Sequence, residues 1–230
     1  MNKAAPRILY RFHLPTGIEE IALDFEPDDF LLRTRPDDPP PAWAALEFEK
    51  CGHCPLSSAD SPNCPFAAAL SGYVESFSHL ESHREVKIEV ITPMRTVSAV
   101  KPLQTGIASL VGLIGATSGC PHLAFYRPMA RFHLPFADQE ETVYRVLSMF
   151  VLRSYFAGKP PDLEQLNAAI ASVSDVNAGM ATRIRAGFAK DAMVNAIVIL
   201  DFLAQTVPLA IDSRFDDLRQ LFAPTASPPG

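Results

Sequence analysis

The apolar positions change their period once along the chain. In the first hundred residues they come in short runs. Ile8 to Leu14 and Ile18 to Phe25 flank Pro15-Thr16-Gly17, the punctuation of a hairpin. Val86, Ile88 and Val90 alternate with Lys87 and Glu89, which predicts a half-buried strand, and Val97 to Val100 continue the sheet after a turn at Thr92-Pro93. Phe30 to Arg33 and Ala45 to Lys50 predict two more short strands, the second leading the chain into Cys51. Residues 66–82 carry Phe66, Leu70, Tyr73, Val74, Phe77 and Leu80 at helical spacing.

Beyond Pro102 the period is helical. Leu103 to Thr117 is apolar nearly all round, so it predicts a central, buried helix. Asp138 followed three residues later by Glu141 is a capping box that opens a helix through Phe156, and Gly158 with Pro160 and Pro161 stops it. Further helices are expected over 162–188, 191–206 and 213–222, ahead of a disordered tail at 224–230. The expected fold class is α+β: a small, mainly antiparallel N-terminal sheet packed on a predominantly helical C-terminal half. Residues 1–102 are the sheet-containing half and 103–223 the helical half, together one integrated domain. The pentapeptide RFHLP occurs at Arg11–Pro15 and again at Arg131–Pro135, but the flanking sequences do not align. Coincidence, or two similar element ends, is the expectation.

Composition removes some function classes. The 230 residues carry 20 basic and 26 acidic side chains, a formal charge of −6, which argues against a protein built to bind nucleic acid. Pro102 to Tyr126 holds no charged residue and is long enough to cross a bilayer. Gln104, Thr105, Thr117, Ser118, Pro121 and His122 make a buried helix followed by a loop the better reading. The N-terminus lacks a secretory apolar run, so the cytoplasm is the expected compartment, where thiols stay reduced.

That compartment changes the meaning of the four cysteines. Cys51-Gly-His-Cys54-Pro is followed by Cys64-Pro and, far downstream, by Gly-Cys120-Pro-His. Four thiolates satisfy either zinc or a [4Fe–4S] cluster, and two residues between Cys51 and Cys54 let one tight turn aim both sulfurs at one centre. The expected ligands are Cys51, Cys54, Cys64 and Cys120, the cofactor either a [4Fe–4S] cluster or zinc. His53 and His122 are expected to stand behind them, bonded to the sulfurs. Such a centre would clip a loop of about seventy residues and couple metal binding to folding. A dithiol role for Cys51 and Cys54, or plain burial of all four, are the competing accounts.

Other features read more plainly. His79 and His83 are four apart, but the HExxH zinc pattern is missing, and polar residues near a helix end explain them. Gly106, Gly112, Gly115 and Gly119 lack the GK[ST] of a phosphate loop, so close helix packing is expected. No GxSxG elbow occurs. Asp175, Asn177, Arg183, Arg185, Asp191, Asn195 and Asp201 are polar positions in the helical half. Caps, ion pairs and buried hydrogen bonds account for them. Function therefore divides in two: a metal centre with a redox, sensing or interaction role and a protein partner, or a ligand-binding protein or enzyme with a polar pocket among the C-terminal helices. The sequence leaves enzymatic activity open.

Overall fold

A computed structural model describes residues 5–33, 39–77, 80–187, 192–202, 204–205, 220 and 222. Strand β1 (Arg7–Leu14) turns at Pro15-Thr16 into β2 (Gly17–Asp24), with Gly17 at φ +137, a conformation that side chains disfavour. Helix α1 (Pro65–Phe77) precedes the hairpin of β3 (Glu85–Ile91) and β4 (Thr96–Pro102). All neighbours pair antiparallel in the order β2-β1-β3-β4. The chain then becomes helical: α2 (Leu103–Thr117), the short α3 (Arg127–Arg131), α4 (Gln139–Phe156), α5 (Leu163–Gly187) and helical residues 192–202. The arrangement is α+β.

The strands alternate as their sequences require. Ile8, Tyr10, Phe12, Ile21, Leu23, Val86, Ile88 and Val90 turn inward, and β4 forms a largely exposed edge. Helix α2 lies on that inner face. A Cβ on Gly106 would stand 2.3 Å from Ile88 Cδ1 and 2.9 Å from Phe12 Cε1, so glycine sets how closely helix and sheet approach. One hydrophobic cluster runs from Ile8 to Ala204 and joins both halves of the chain. Asp138 and Glu141 make the reciprocal capping box that opens α4. Among the described residues no helix is long and apolar enough to cross a membrane.

Several sequence expectations are corrected. Phe30–Arg33 forms no strand; it makes a single bridge, Phe25 to Leu32, because Phe30 takes φ +60 and stacks on Phe25 with ring centroids 4.2 Å apart. Leu32 N–H then donates to the carbonyl of Thr117 at the end of α2. Ala45–Lys50 is no strand either. Ala45 bridges Asn63, residues 46–49 turn, and the carbonyls that a strand partner would use are taken by Arg183 of α5. Helix α1 is described over Pro65–Phe77, residues 78 and 79 lie outside the described residues, and Leu80 is no longer helical. His79 lies outside the described residues, as do Asp191 and residues 224–230; of residues 213–222, only 220 and 222 are described. The two RFHLP copies occupy unlike places: His13 on β1 bonds Glu89, whereas His133, beyond α3, bonds the hydroxyl of Tyr10. The repeat is therefore not a repeated element.

Candidate metal centre

Three separate loops and one helix deliver the cysteines to a common region. Cys51 and Cys54 sit in a tight turn closed by Cys54 N–H donating to the carbonyl of Cys51, 3.0 Å. Cys64 is placed by a short antiparallel contact, its N–H donating to the carbonyl of Ala44 at 2.8 Å, just before α1 begins. Cys120 follows Gly119, whose φ of +90 bends the chain sharply out of α2. A Cβ on Gly119 would lie 4.0 Å from Pro65 Cβ, so the turn before Cys120 packs against the residue after Cys64.

The thiols sense one another. Burial pushes the Cys51 thiol up to about 11; Cys64, Cys120 and Cys54 add to the rise, and the positive charge of Arg183 opposes it. Burial raises Cys120 as well, Cys64 and Cys54 contribute, and the backbone N–H groups of Leu123 and His122 act the other way by favouring its thiolate. All four cysteines are free thiols. Among the described residues, no group of three or more His, Cys, Asp or Glu side chains is arranged to hold a metal ion.

The two histidines lock the loops rather than reach for sulfur. His122 Nε2 donates to the carbonyl of His53 at 3.1 Å, so its Nδ1 accepts from the Ser172 hydroxyl at 2.6 Å. His53 Nε2 donates to the carbonyl of Ser172 at 3.1 Å, and the two rings lie 4.1 Å apart. With these bonds made, His122 has no ring nitrogen left for a thiol. The two rings form a clasp between the CxxC turn, the Cys120 loop and α5, with His53 Nδ1 3.8 Å from Asp175 Oδ2. Beside this clasp opens a cleft of about 590 Å³ lined by Pro121, His122, Arg127, Arg153 and Ser172.

Sequence reasoning missed Ser172 and Gly179 on α5, and it marked Arg183 on the same helix only as a polar position explained by caps, ion pairs or buried hydrogen bonds. Ser172, Gly179 and Arg183 are spaced i, i+7, i+11 and therefore share one helical face, the signal that could have marked them. A Cβ on Gly179 would stand 3.0 Å from Cys51 Sγ, so the absent side chain makes room for the sulfur. Arg183 is 1% exposed. Its Nη1 donates to the carbonyls of Trp43 and Ala45 and its Nη2 to that of Leu46, at 2.8 to 2.9 Å. The guanidinium thus holds the segment that delivers Cys51.

Two polar positions of the last described helical stretch are internally satisfied: Asn195 donates to Ser82, and Asp201 accepts from Ser174 and Gln205. His83 belongs to no candidate ligand group among the described residues. No curated protein and no solved structure matches the chain. Over residues 8–223 the chain matches the family described as a domain of unknown function, DUF6901, and it belongs to that family.

Proposed function

We propose that Cys51, Cys54, Cys64 and Cys120 hold one metal centre, a [4Fe–4S] cluster in first place and a structural zinc as its alternative. The observation that carries this reading is a buried cation, Arg183, beside the half-buried thiol of Cys51. Arg183 is inaccessible to water, its hydrogen bonds go to neutral carbonyls, and its charge reaches Cys51. Neutral thiols give such a cation no counter-charge, and an uncompensated buried charge costs several kcal/mol. Four thiolates on a metal supply negative charge where it is lacking. The N–H groups of Leu123 and His122 that favour a Cys120 thiolate support the same state.

The two metals ask different things of the four thiols. Zinc takes four thiolates at about 2.3 Å from a single point, which would require the side chains to draw closely together. A cubane gives each thiolate its own iron and holds the sulfurs farther apart than a single zinc does. A cluster suits electron transfer or redox sensing, with the arginine-flanked cleft beside His122 as the approach for a partner protein. Zinc bound by four thiolates has no open position and would brace the fold for an interaction role. Either reading puts the protein in a reducing compartment such as the cytoplasm.

Anaerobic purification tests the proposal. A cluster gives a brown protein absorbing broadly near ~400 nm, with iron and acid-labile sulfide in equal amounts. A colourless protein with one zinc per chain selects the alternative. A metal-free protein whose folding is unchanged by chelators overturns both.

A further inference from the structure

A second cavity, of about 460 Å³, lies between α2, the 126–139 segment, α4, α5 and the last helical stretch; no cysteine lines it. Its floor is one face of α2, from Thr105 through Ala108 and Gly112 to Ala116. Eleven rises of 1.5 Å, from Thr105 to Ala116, make that floor roughly 16 Å long. Leu200 packs over Gly112, 3.3 Å from where a Cβ would stand, and Leu123 and Phe66 over Gly115, so these side chains wall the cavity together with α2.

The two ends differ in chemistry. Near the start of α2 the wall carries Lys101, Thr105 and Ser109, with Thr142 and Arg145 contributed by α4. Arg145 Nη2 donates to the carbonyls of Met129 and Phe132, which fixes the guanidinium at the wall. The carboxylate of Asp138 in the same wall caps α4, accepting from Glu141 N–H. Burial holds His133 neutral, and its ring is tied to the Tyr10 hydroxyl, itself bonded to Ser109. This end therefore sets two cations, Lys101 and Arg145, against the Asp138 carboxylate, with the charge of Glu141 also acting on Arg145. Toward the far end the lining is Phe66, Leu113, Gly115, Ala116 and Leu123.

One polar group interrupts the apolar end. Asn177 lines the cavity, is only 4% exposed, and among the described residues its carboxamide has no hydrogen-bond partner. It sits on α5 between Ser172, which bonds His122 just beyond α2, and Gly179, which faces Cys51. That places it toward the far end. Among the described residues the fully buried polar atom without a partner is Asn167 Oδ1, so the Asn177 amide is open to the cavity space, where a group inside the cavity would be its hydrogen-bond partner.

We propose that this cavity binds a single-chain amphiphilic carboxylate of roughly ten carbons with a second, hydrogen-bonding oxygen near its other end, a size set by the cavity's length and volume. The carboxylate meets Arg145 and Lys101, the chain lies along α2, and the terminal oxygen meets Asn177. The site does not depend on the cysteines.

Calorimetric titration of the purified full chain with 10-hydroxydecanoate, decanoate and decan-1-ol tests it. The expected order is 10-hydroxydecanoate tightest, decanoate about tenfold weaker, and decan-1-ol weaker again, each step being one hydrogen bond or ion pair lost in a buried site. Arg145→Gln and the exposed Lys101→Gln each weaken both carboxylates and leave decan-1-ol unchanged. Asn177→Leu abolishes the preference for the hydroxylated ligand while decanoate still binds. Absence of binding by all three probes at millimolar concentration, decan-1-ol binding as tightly as decanoate, or an unchanged preference in Asn177→Leu overturns the assignment.

Discussion

Replacing Arg183 with methionine keeps the length and apolar stem of the side chain and removes only the charged fork. Three carbonyls, of Trp43, Ala45 and Leu46, then lose donors at 2.8 to 2.9 Å inside the protein. Hydrogen bonds from a charged donor contribute about 1.5–3 kcal/mol each, which sets an upper bound of roughly 5–9 kcal/mol. Against this, the variant no longer buries a guanidinium, a cost of several kcal/mol that the folded protein otherwise bears. The net expectation is a loss of about 3–5 kcal/mol, or on the order of 10 °C in Tm for a chain of this size. Urea unfolding followed by the fluorescence of Trp43 reads it directly. Trp43 is the only tryptophan in the chain, is 9% exposed, and contributes one of the three acceptors. Arg183→Lys, which restores the charge without the fork, should fall between the two. A methionine variant within about 1 kcal/mol of the parent would refute the claim that this guanidinium holds the Cys51 segment.

Cys120→Ser should lower the melting temperature of protein purified with its metal more than His122→Ala does, because a lost ligand loses binding energy coupled to folding; equal values would count against a bound metal. Gly106→Ala should destabilise by about 1–3 kcal/mol through overpacking, and the added Ile88→Val should recover part of this, since it deletes the Cδ1 atom nearest the new methyl. Chemical denaturation of the single and double variants measures both effects. His133 is pushed down to about 3 by burial, with the Arg145 charge adding to the shift. Its folded value lies below its unfolded one, so the unfolded chain binds the proton first. Its contribution is complete above pH 6.5 and lost as pH falls from 6.5 toward 3, at about 1.4 kcal/mol per unit. Between pH 6.5 and 5, above the range where Glu89 titrates, His133→Asn should flatten the fall of stability with acid; an unchanged slope would remove His133 from the account.

Local rules were sufficient wherever an element is specified by its own side chains. The β1–β2 hairpin follows from alternation around Pro15-Thr16-Gly17, α2 from an apolar run bounded by Pro102 and Gly119, and α4 from the Asp138–Glu141 box. Each depends on interactions spanning a few residues, which sequence displays in full. Ala45–Lys50 shows where this stops. Its alternation fits a strand, yet its carbonyls are claimed by a guanidinium 138 positions away, and the segment turns.

The candidate site divides along the same line. Four reduced thiols at that spacing, and the chemistry open to them, were legible in the sequence because ligand type and the Cys51–Cys54 turn are local properties. Their surroundings were not. Whether His53 and His122 face sulfur or each other, whether Gly179 makes room for Cys51, and whether Arg183 is a solvated charge or a buried one depend on α5 being laid across the cysteine loops. Long-range packing sets the burial and partners of a polar side chain, and those two quantities decide what an arginine or a histidine does.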